Sequence, residues 1–212
     1  MSAPQSYYVP VDAGEAEFTE KRSRFLGHVR RVETEAEARA FLDEMRKKYY
    51  DARHNCWCYV LHEGGVVRYG DDGEPQGTAG QPMLNVFQRE GVENVVCVVT
   101  RYFGGVLLGA GGLTRAYARS AKDALDAAGK ARMRLWSAVT VDCPYPMLER
   151  LKLLATAHGG TVEGTDFGAA VSVRILLPQE NAAGFDAALT ELSAGTMTAR
   201  REEERFLPGP RE

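Results

Sequence analysis

Apolar and polar positions along the first 134 residues predict a mixture of helices and strands. Alternation at 17–32 predicts two strands or a hairpin. Thr34 and Glu37 form a capping-box pattern, and apolar residues at helical spacing follow them, which predicts a helix. Further apolar runs and turn residues predict strands at 54–62 and 66–69, a helix at 82–89, a strand at 94–103 and a helix at 111–128.

The pattern in the rest of the chain has a simpler order. It predicts a strand at 136–143, a helix at 145–158, strands at 160–166 and 169–177, a helix at 180–192 and a strand at 195–201. This β-α-β-β-α-β order is that of the ferredoxin-like fold. Residues 129–134 follow a helix that ends at glycine and predict a basic linker. The segment 200–212 is rich in charge and has Pro-Gly-Pro near its end, so we expect its last residues to be loosely held.

Composition and charge indicate two folded domains that differ in charge. The chain has 212 residues, 44% hydrophobic and 26% charged, so it can bury a core and is not a disordered chain. Residues 1–134 carry 19 Lys and Arg against 18 Asp and Glu, and residues 135–212 carry 7 against 11. The overall charge of −3 excludes a polycation that coats nucleic acid by bulk charge. We predict an α+β protein with domains at 1–134 and 135–212.

Features that the sequence lacks bear on its location. It has no uncharged apolar run near the ~18 residues that a membrane helix needs. Residues 1–10 show no basic start followed by an apolar run, so we expect no signal peptide. The four cysteines are unevenly spaced, which favours reduced thiols over a disulfide framework. We therefore expect a cytoplasmic protein without membrane contact.

Two segments of the first half offer candidate binding groups. The basic cluster at 21–25 could contact phosphate groups or could be a solvated strand end. His54, Cys56, Cys58 and His62 fall on one face of a predicted strand, where alternate positions lie ~6.6–6.8 Å apart. These four residues form a row and cannot surround a metal ion. We therefore interpret the cysteines as buried packing residues and predict no metal site.

The segment 71–82 begins with three carboxylates within four residues, and we call its residues 71–79 the acidic loop. Asp71, Asp72 and Glu74 could hold a hard cation such as Mg²⁺. They could also belong to an ordinary turn, since Asp, Gly and Pro are turn residues. Thr78 and Gly80 could present hydroxyl and backbone N–H groups to an anion at the start of the next helix.

The segment 101–115 contains the end of a predicted strand, a glycine-rich loop and the start of a predicted helix. We call its residues 103–109 the glycine loop. Backbone N–H groups at such a junction can bind phosphate, although glycine also permits an ordinary tight turn. The segment is not a P-loop, because the Gly-Lys-Ser/Thr ending is missing, and it is not the G-x-G-x-x-G dinucleotide fingerprint. Arg115, Arg119 and Lys122 fall at i, i+4 and i+7 on the following helix and predict a basic stripe on one face.

Arginine and aromatic residues next to the glycine loop favour nucleic-acid binding. Arg101, Tyr102 and Phe103 supply a guanidinium group and two rings that suit phosphate contact and base stacking. The sequence has no G-x-S-x-G, H-E-x-x-H or C-x-x-C motif that would indicate a catalytic site. The predicted nucleic-acid-binding residues are Arg101, Tyr102, Phe103, Gly104, Gly105, Gly109, Arg115, Arg119 and Lys122.

The two loops together resemble the IMPACT (YigZ-like) family. The matching residues are Arg101, Tyr102, Phe103, Gly104, Gly105 and Gly109, with Asp71–Pro75, Gly77–Gly80 and His54-Asn55 beside them. The resemblance covers roughly residues 15–130. Residues 135–212 are similar to the C-terminal domain of bacterial members in element order and length.

This resemblance implies a fold for each domain and a function connected with translation. It implies an N-terminal ribosomal-protein-like β-α domain and a ferredoxin-like C-terminal domain, similar to the last two domains of elongation factor G. Eukaryotic members oppose activation of an initiation-factor kinase by binding its ribosome-associated activator, and they carry an extra N-terminal domain for partner binding. The sequence does not include that extra domain, so we do not transfer the kinase role. For bacterial members the resemblance implies contact with RNA or the ribosome.

We therefore predict an RNA- or ribosome-associated binding protein with a translation-linked regulatory role and no cofactor. One alternative is a protein-interaction regulator whose ferredoxin-like domain is the contact surface. The other is a small-molecule or phosphoester-binding enzyme with a pocket where the acidic loop meets the glycine loop. The residues of that pocket would be His54, Asn55, Asp71, Asp72, Glu74 and Thr78, together with Arg101. The oligomeric state stays open.

Overall fold

The computed structural model describes residues 7–212, which fall into two compact units. One unit comprises the chain up to Arg132 together with Pro208–Glu212, and the other comprises Met133–Leu207. Both units mix helices and strands, which confirms the predicted α+β class. Most of the N-terminal segment considered for a signal peptide lies outside the described residues. No helix within residues 7–212 is long and apolar enough to cross a membrane.

The first unit is built on a five-stranded sheet with three helices. Its elements are β1 (Tyr8–Pro10), β2 (Gly14–Glu20), β3 (Ser23–Arg31), α1 (Glu35–Lys48), β4 (His54–Val60), β5 (Val67–Gly70), α2 (Gly80–Glu90), β6 (Val95–Tyr102) and α3 (Ala110–Ala128). The strand order of the sheet is β2-β3-β6-β4-β5, and all neighbours are antiparallel. This order puts β6 at the centre of the sheet.

Helices cover both faces of this sheet, which explains the uninterrupted apolar run in β6. Cys97 and Val99 face the core formed with α2 and α3, whereas Val96 and Val98 face the core formed with α1. A strand that is buried on both faces has apolar residues at successive positions rather than at alternate ones. The central strand predicted at 94–103 is thus confirmed as β6.

The start of α1 confirms the predicted capping box. The Oγ1 of Thr34 accepts a hydrogen bond from the backbone N–H of Glu37 at 3.2 Å, and the Glu37 carboxylate accepts one from the Thr34 N–H at 3.3 Å. These two bonds occupy N–H groups that have no partner within the helix. The local pattern was sufficient to locate this helix, because both partners lie within four residues.

The second unit contains two helices on a sheet of antiparallel strands. Its elements are β7 (Lys130–Cys143), which begins in the first unit, α4 (Leu148–Ala157), β8 (Thr161–Phe167), β9 (Val171–Pro178), α5 (Ala182–Ser193) and β10 (Ala199–Arg211). The strand neighbours are β10 with β7, β7 with β9, and β9 with β8. Leu151 of α4 and Phe185 of α5 are buried against Val173 and Ile175 of β9. The β-α-β-β-α-β order predicted for this half is confirmed.

Two predictions about the connections of the chain are wrong. The linker predicted at 129–134 is the beginning of β7, since Lys130 and the two residues after it pair with the three residues of β1. The chain end is not loose, because β10 extends to Arg211 and the N–H of Glu212 donates to the Lys130 carbonyl at 2.8 Å. The short β1 offered no alternation long enough to predict this pairing.

Candidate functional site

The sheet register brings three of the predicted segments to one end of the first unit. Arg24 at the start of β3 pairs with Tyr102 at the end of β6, and His54 at the start of β4 pairs with Arg101. The turn before β3, the acidic loop after β5 and the glycine loop after β6 therefore lie at the same end of the sheet. Segments that are far apart in the sequence become neighbours here.

The basic turn, formed by Lys21 and Arg22, has an unfavourable backbone for its residue types. Both residues have positive φ angles, 45° and 68°, and they form the two-residue connection between β2 and β3. Such turns favour Asn and Gly, because side chains of other residues are hindered at positive φ. Gly104 of the glycine loop lies against this turn, and a Cβ on Gly104 would come within 2.0 Å of the Arg22 carbonyl oxygen. Position 104 therefore requires glycine.

Arg101 and Glu74 form a buried ion pair that joins β6 to the acidic loop. Arg101 is 5% exposed and Glu74 is 8% exposed. The Arg101 Nη1 donates to the Glu74 Oε1 at 2.7 Å, and the Tyr117 hydroxyl donates to the same oxygen at 2.8 Å. Burial raises the pKa of Tyr117, so its hydroxyl stays protonated and remains a donor. The Arg101 Nη2 donates to the Oγ of Ser23 at 3.2 Å, which connects the pair to β3.

The other carboxylates of the acidic loop bind backbone N–H groups. The Asp71 carboxylate accepts hydrogen bonds from the N–H groups of Gly77 at 2.8 Å, Ala79 at 3.1 Å and Gly80 at 2.8 Å. It therefore caps the start of α2, where N–H groups have no partner within the helix. The Asp72 carboxylate accepts from the N–H of Asn55 at 2.7 Å.

These bonds bear on the cation and anion sites considered for the acidic loop. The anion at the start of α2 is the chain's own Asp71, and the Thr78 hydroxyl donates to the Pro75 carbonyl at 2.6 Å. The part of the chain that the structure describes contains no group of three or more His, Cys, Asp or Glu residues that could hold a metal ion. Cys56 and Cys58 are free thiols within the core, as the packing interpretation requires.

The acidic loop and the glycine loop meet around a cavity of about 350 Å³. Two of the six predicted pocket residues, His54 and Glu74, line it, as do Arg101 and Phe103. The remaining lining residues are Arg53, Pro75, Leu107, Leu108, Gly109, Ala110 and Leu113. Asn55, Asp71, Asp72 and Thr78 do not line the cavity. The hydrogen bonds of Asp72 and Asp71 hold the acidic loop against β4 and α2 instead. The Thr78 hydroxyl bonds within the loop, and the Asn55 side chain accepts from Thr100 of β6.

Tyr102 is separated from the two residues with which it was grouped. Successive side chains of a strand point to opposite faces, so Tyr102 lies on the other face of the sheet from Arg101. Its hydroxyl donates to the Oδ1 of Asp51 at 2.7 Å, and burial together with this carboxylate raises the pKa of Tyr102 to about 12. Arg101 and Phe103 remain together, with the Arg101 Cζ 5.5 Å from the centre of the Phe103 ring.

The basic stripe on α3 is less positive than its cations suggest. The Arg119 Nε lies 3.3 Å from the Oδ2 of Asp123, and Lys122 is paired with Asp126. Arg115 is exposed and makes no hydrogen bond or ion pair with any residue that the structure describes. The positive charge available to a ligand is therefore concentrated at the end of α3 that follows the glycine loop.

Several residues of this region were missed by the sequence analysis. Ser23 holds both the Arg101 side chain and the N–H of Gly104, the latter at 3.3 Å. Tyr117 was not singled out, although a buried tyrosine hydroxyl needs a hydrogen-bond partner and so indicates a polar contact. Arg53 and Leu107 line the cavity, but nothing in their local sequence pattern distinguishes them from other surface residues.

Comparisons with protein families and known proteins agree with this architecture. A family model described as the Impact N-terminal domain matches residues 21–125, and one described as a domain of unknown function (DUF1949) matches residues 141–196. The chain is 34% identical over 203 residues to the IMPACT family member YvyE of Bacillus subtilis, which covers 95% of this chain and 94% of that protein. It is 35% identical over 187 residues to the IMPACT family member YigZ of Escherichia coli, covering 87% and 92% respectively.

Two further similarities differ in how much of this chain they cover. The protein named IMPACT from Rattus norvegicus is 32% identical over 112 residues, which is 51% of this chain and 35% of the rat protein. A crystal structure described as that of a hypothetical protein has a TM-score of 0.58 and 33% identity, and the similarity covers 94% of this chain and 98% of that one. The similarity to the rat protein is therefore confined to about half of this chain, whereas that to the solved structure spans nearly all of it.

Proposed function

The chain belongs to the IMPACT family, and we propose that its first unit binds RNA, free or in the ribosome, in a role linked to the regulation of translation. The observation that carries this proposal is the set of exposed cations around the glycine loop. Lys21, Arg22, Arg53 and Arg115 are exposed, and none of them has an ion pair within residues 7–212. Cations without a carboxylate partner remain available to neutralise the phosphates of a nucleic acid.

The strained basic turn supports the same proposal. Two residues at positive φ destabilise a turn unless they are replaced by Asn or Gly, yet this turn carries Lys21 and Arg22. Unfavourable backbone conformations cluster at functional sites, where the residue type is needed for another reason. Phosphate binding would be such a reason, because both side chains are exposed next to the glycine loop.

Exposed apolar side chains lie beside these cations, and a surface that binds single-stranded or looped RNA needs both kinds of group. Phe103 is 46% exposed and Leu107 is 81% exposed, and both belong to the glycine loop. Unstacked bases of RNA bind to aromatic side chains next to cationic groups. The four cysteines are free thiols, which is typical of proteins in the reducing cytoplasm, and we propose that location.

Binding of a structured ribosomal RNA fragment, measured by fluorescence anisotropy at increasing salt, tests this proposal. We expect the affinity of the protein to fall as salt rises, with Lys21→Ala flattening the logarithmic slope by about 0.7–0.9. Lys47→Ala is the matched control, because Lys47 is an exposed cation on α1, on the opposite face of the sheet. Absence of salt-dependent binding, or equal effects of the two substitutions, would contradict the proposal.

A further inference from the structure

The walls of the cavity between the two loops are mainly apolar, with a few polar groups. Five of the eleven lining residues are large and apolar: Pro75, Phe103, Leu107, Leu108 and Leu113. Sites of about 300–1,000 Å³ with apolar walls and a few convergent polar groups are typical of small organic ligands. An inorganic anion would leave most of this wall without a contact.

Glu74 and His54, two of the polar residues that line the cavity, offer hydrogen-bond acceptors. The Oε1 of Glu74 is occupied by Arg101 and Tyr117, whereas its Oε2 has no hydrogen bond to any described residue. The Nδ1 of His54 lies 2.9 Å from the carbonyl oxygen of Asp72 and must donate to it, which leaves Nε2 as the acceptor of the neutral ring. These two acceptors favour a ligand that has N–H donors. Arg53 and Arg101 also line the cavity and can donate to a carbonyl oxygen or ring nitrogen of the same ligand.

Phe103 provides a flat, partly exposed ring at the edge of the cavity. Its ring faces the Arg101 guanidinium, and Arg101 is itself fixed by Glu74 and Ser23. A ring supported in this way is well placed to stack on a planar ligand, because little side-chain freedom is lost on binding.

Cations flank the cavity without filling it. Arg53 belongs to its lining, and Leu108 also lines an adjoining cavity of about 240 Å³ that contains Lys21, Arg115 and Arg119. A ligand whose planar part occupies the first cavity can therefore place a phosphate against the second. This is the arrangement of a nucleotide within an RNA chain.

We infer that the cavity receives one unstacked base of the bound RNA. Phe103 stacks on the face of the base, and Glu74 and His54 accept hydrogen bonds from its exocyclic amino group. The inference rests on the proposed function, since the base arrives as part of the RNA. The amino group of adenine, cytosine or guanine supplies two N–H bonds, one for each acceptor, whereas uracil has only its single N3–H. The cavity therefore prefers the first three bases.

Titration of the full chain with nucleoside 5′-monophosphates, followed by the NMR shifts of backbone amides 103–110, tests the inference. We expect AMP, CMP and GMP to bind more tightly than UMP, and ribose 5-phosphate to bind most weakly. Phe103→Leu should weaken AMP binding about tenfold, as the loss of one stacked base does. Tyr69→Leu is the matched control, because Tyr69 has the same 46% exposure but lies on β5, outside the cavity.

The outcomes distinguish this inference from the proposed function. Ribose 5-phosphate that binds as tightly as AMP would overturn the inference, because the site would then bind phosphate alone. Equal effects of Phe103→Leu and Tyr69→Leu, or UMP binding as tight as that of AMP, would overturn it as well. In each of these cases RNA binding that depends on Lys21 would leave the proposed function intact. Specific nucleotide binding without salt-dependent RNA binding would support the cavity and refute the proposed function.

Discussion

The acidic loop and the glycine loop line the same cavity, but they differ in how much of their binding capacity the protein itself uses. In the acidic loop, Asp71 binds three N–H groups, Asp72 binds one, and Glu74 binds Arg101 and Tyr117. In the glycine loop, the side chain of Leu107 is largely exposed and that of Phe103 is about half exposed. The first loop therefore serves mainly to hold the fold, and the second is free to contact a ligand.

The difference also shows why charge alone is a poor guide to function. The acidic loop has the denser set of charged groups, but each of its three carboxylates has a hydrogen-bond partner within the protein. The glycine loop contains no charged residue, yet unpaired cations surround it. A cation that already has a carboxylate partner adds less positive charge to a binding surface than an unpaired one. The first three of the predictions that follow test this contrast between the loops.

Glu74→Ala should have the largest effect on stability. Removing one partner of a buried ion pair leaves the other charge without compensation, so we expect the free energy of unfolding to fall by about 3–5 kcal/mol. Unfolding in urea, followed by circular dichroism, measures this loss. Glu20→Ala, an exposed glutamate at the end of β2, should change stability by less than about 0.5 kcal/mol. A similar loss for both variants would contradict a structural role for the acidic loop.

Asp71→Ala tests the same contrast at the start of α2. Three backbone N–H groups lose a charged acceptor, and we expect a loss of about 2–3 kcal/mol in the same urea experiment. Leu107→Ala in the glycine loop should cost less than about 0.5 kcal/mol, because the side chain is 81% exposed. Equal losses would mean that the two loops do not differ in the way described.

Gly104→Ala should destabilise the protein, because position 104 of the glycine loop packs closely against the basic turn. The added Cβ would clash with the backbone of Arg22, and relieving such a clash costs about 1–3 kcal/mol. Gly111→Ala is the control, since its Cβ would meet only the flexible Arg115 guanidinium at 3.5 Å and alanine favours the helix. If the melting temperature of Gly104→Ala equals that of the parent protein, the close contact between the glycine loop and the basic turn is contradicted.

His28 lies outside both loops and predicts the smallest effect, a change in pH dependence. His28 is 4% exposed, and burial lowers its pKa, although Glu15 opposes this in part. The unfolded chain therefore takes up a proton at a higher pH than the folded one. Stability should fall as the pH drops below the ordinary histidine pKa of about 6.5 and level off below the folded-state value.

The substitution His28→Asn tests this assignment. The unfolding free energy of the variant should show a shallower decline between pH 7 and pH 5 than that of the parent protein. Substitution of the exposed His62 serves as the comparison, because His62 is 42% exposed at its side chain. If the decline persists in His28→Asn and disappears when His62 is replaced, His62 rather than His28 causes the pH dependence, and the prediction is contradicted.

The helices and most strands could be predicted because their signals are local. The capping box of α1 involves residues three apart, and a run of apolar residues identifies β6. The edge strand β1 and the pairing of Lys130 were not predictable, because three residues carry no readable period. A strand this short is defined by its partner rather than by its own pattern.

The candidate site was predictable in its residue types but not in their partners. Glu74 and Arg101 were both identified, yet nothing local indicates that they form a buried pair 27 residues apart in the sequence. Asp71 likewise caps a helix that begins nine residues later. The stripe on α3 is a different case: the carboxylates that neutralise Arg119 and Lys122 lie four residues further along the chain and could have been counted.

The central claim is that unpaired cations beside the glycine loop bind RNA, and two positions on one helix test it most directly. Arg115 is unpaired, whereas Lys122 is paired with Asp126 and lies 3.7 Å from Glu90. The salt dependence of RNA affinity should flatten by about 0.7–0.9 for Arg115→Ala and stay nearly unchanged for Lys122→Ala. Identical slopes for the two variants, or a parent protein whose RNA binding does not respond to salt, would contradict the account.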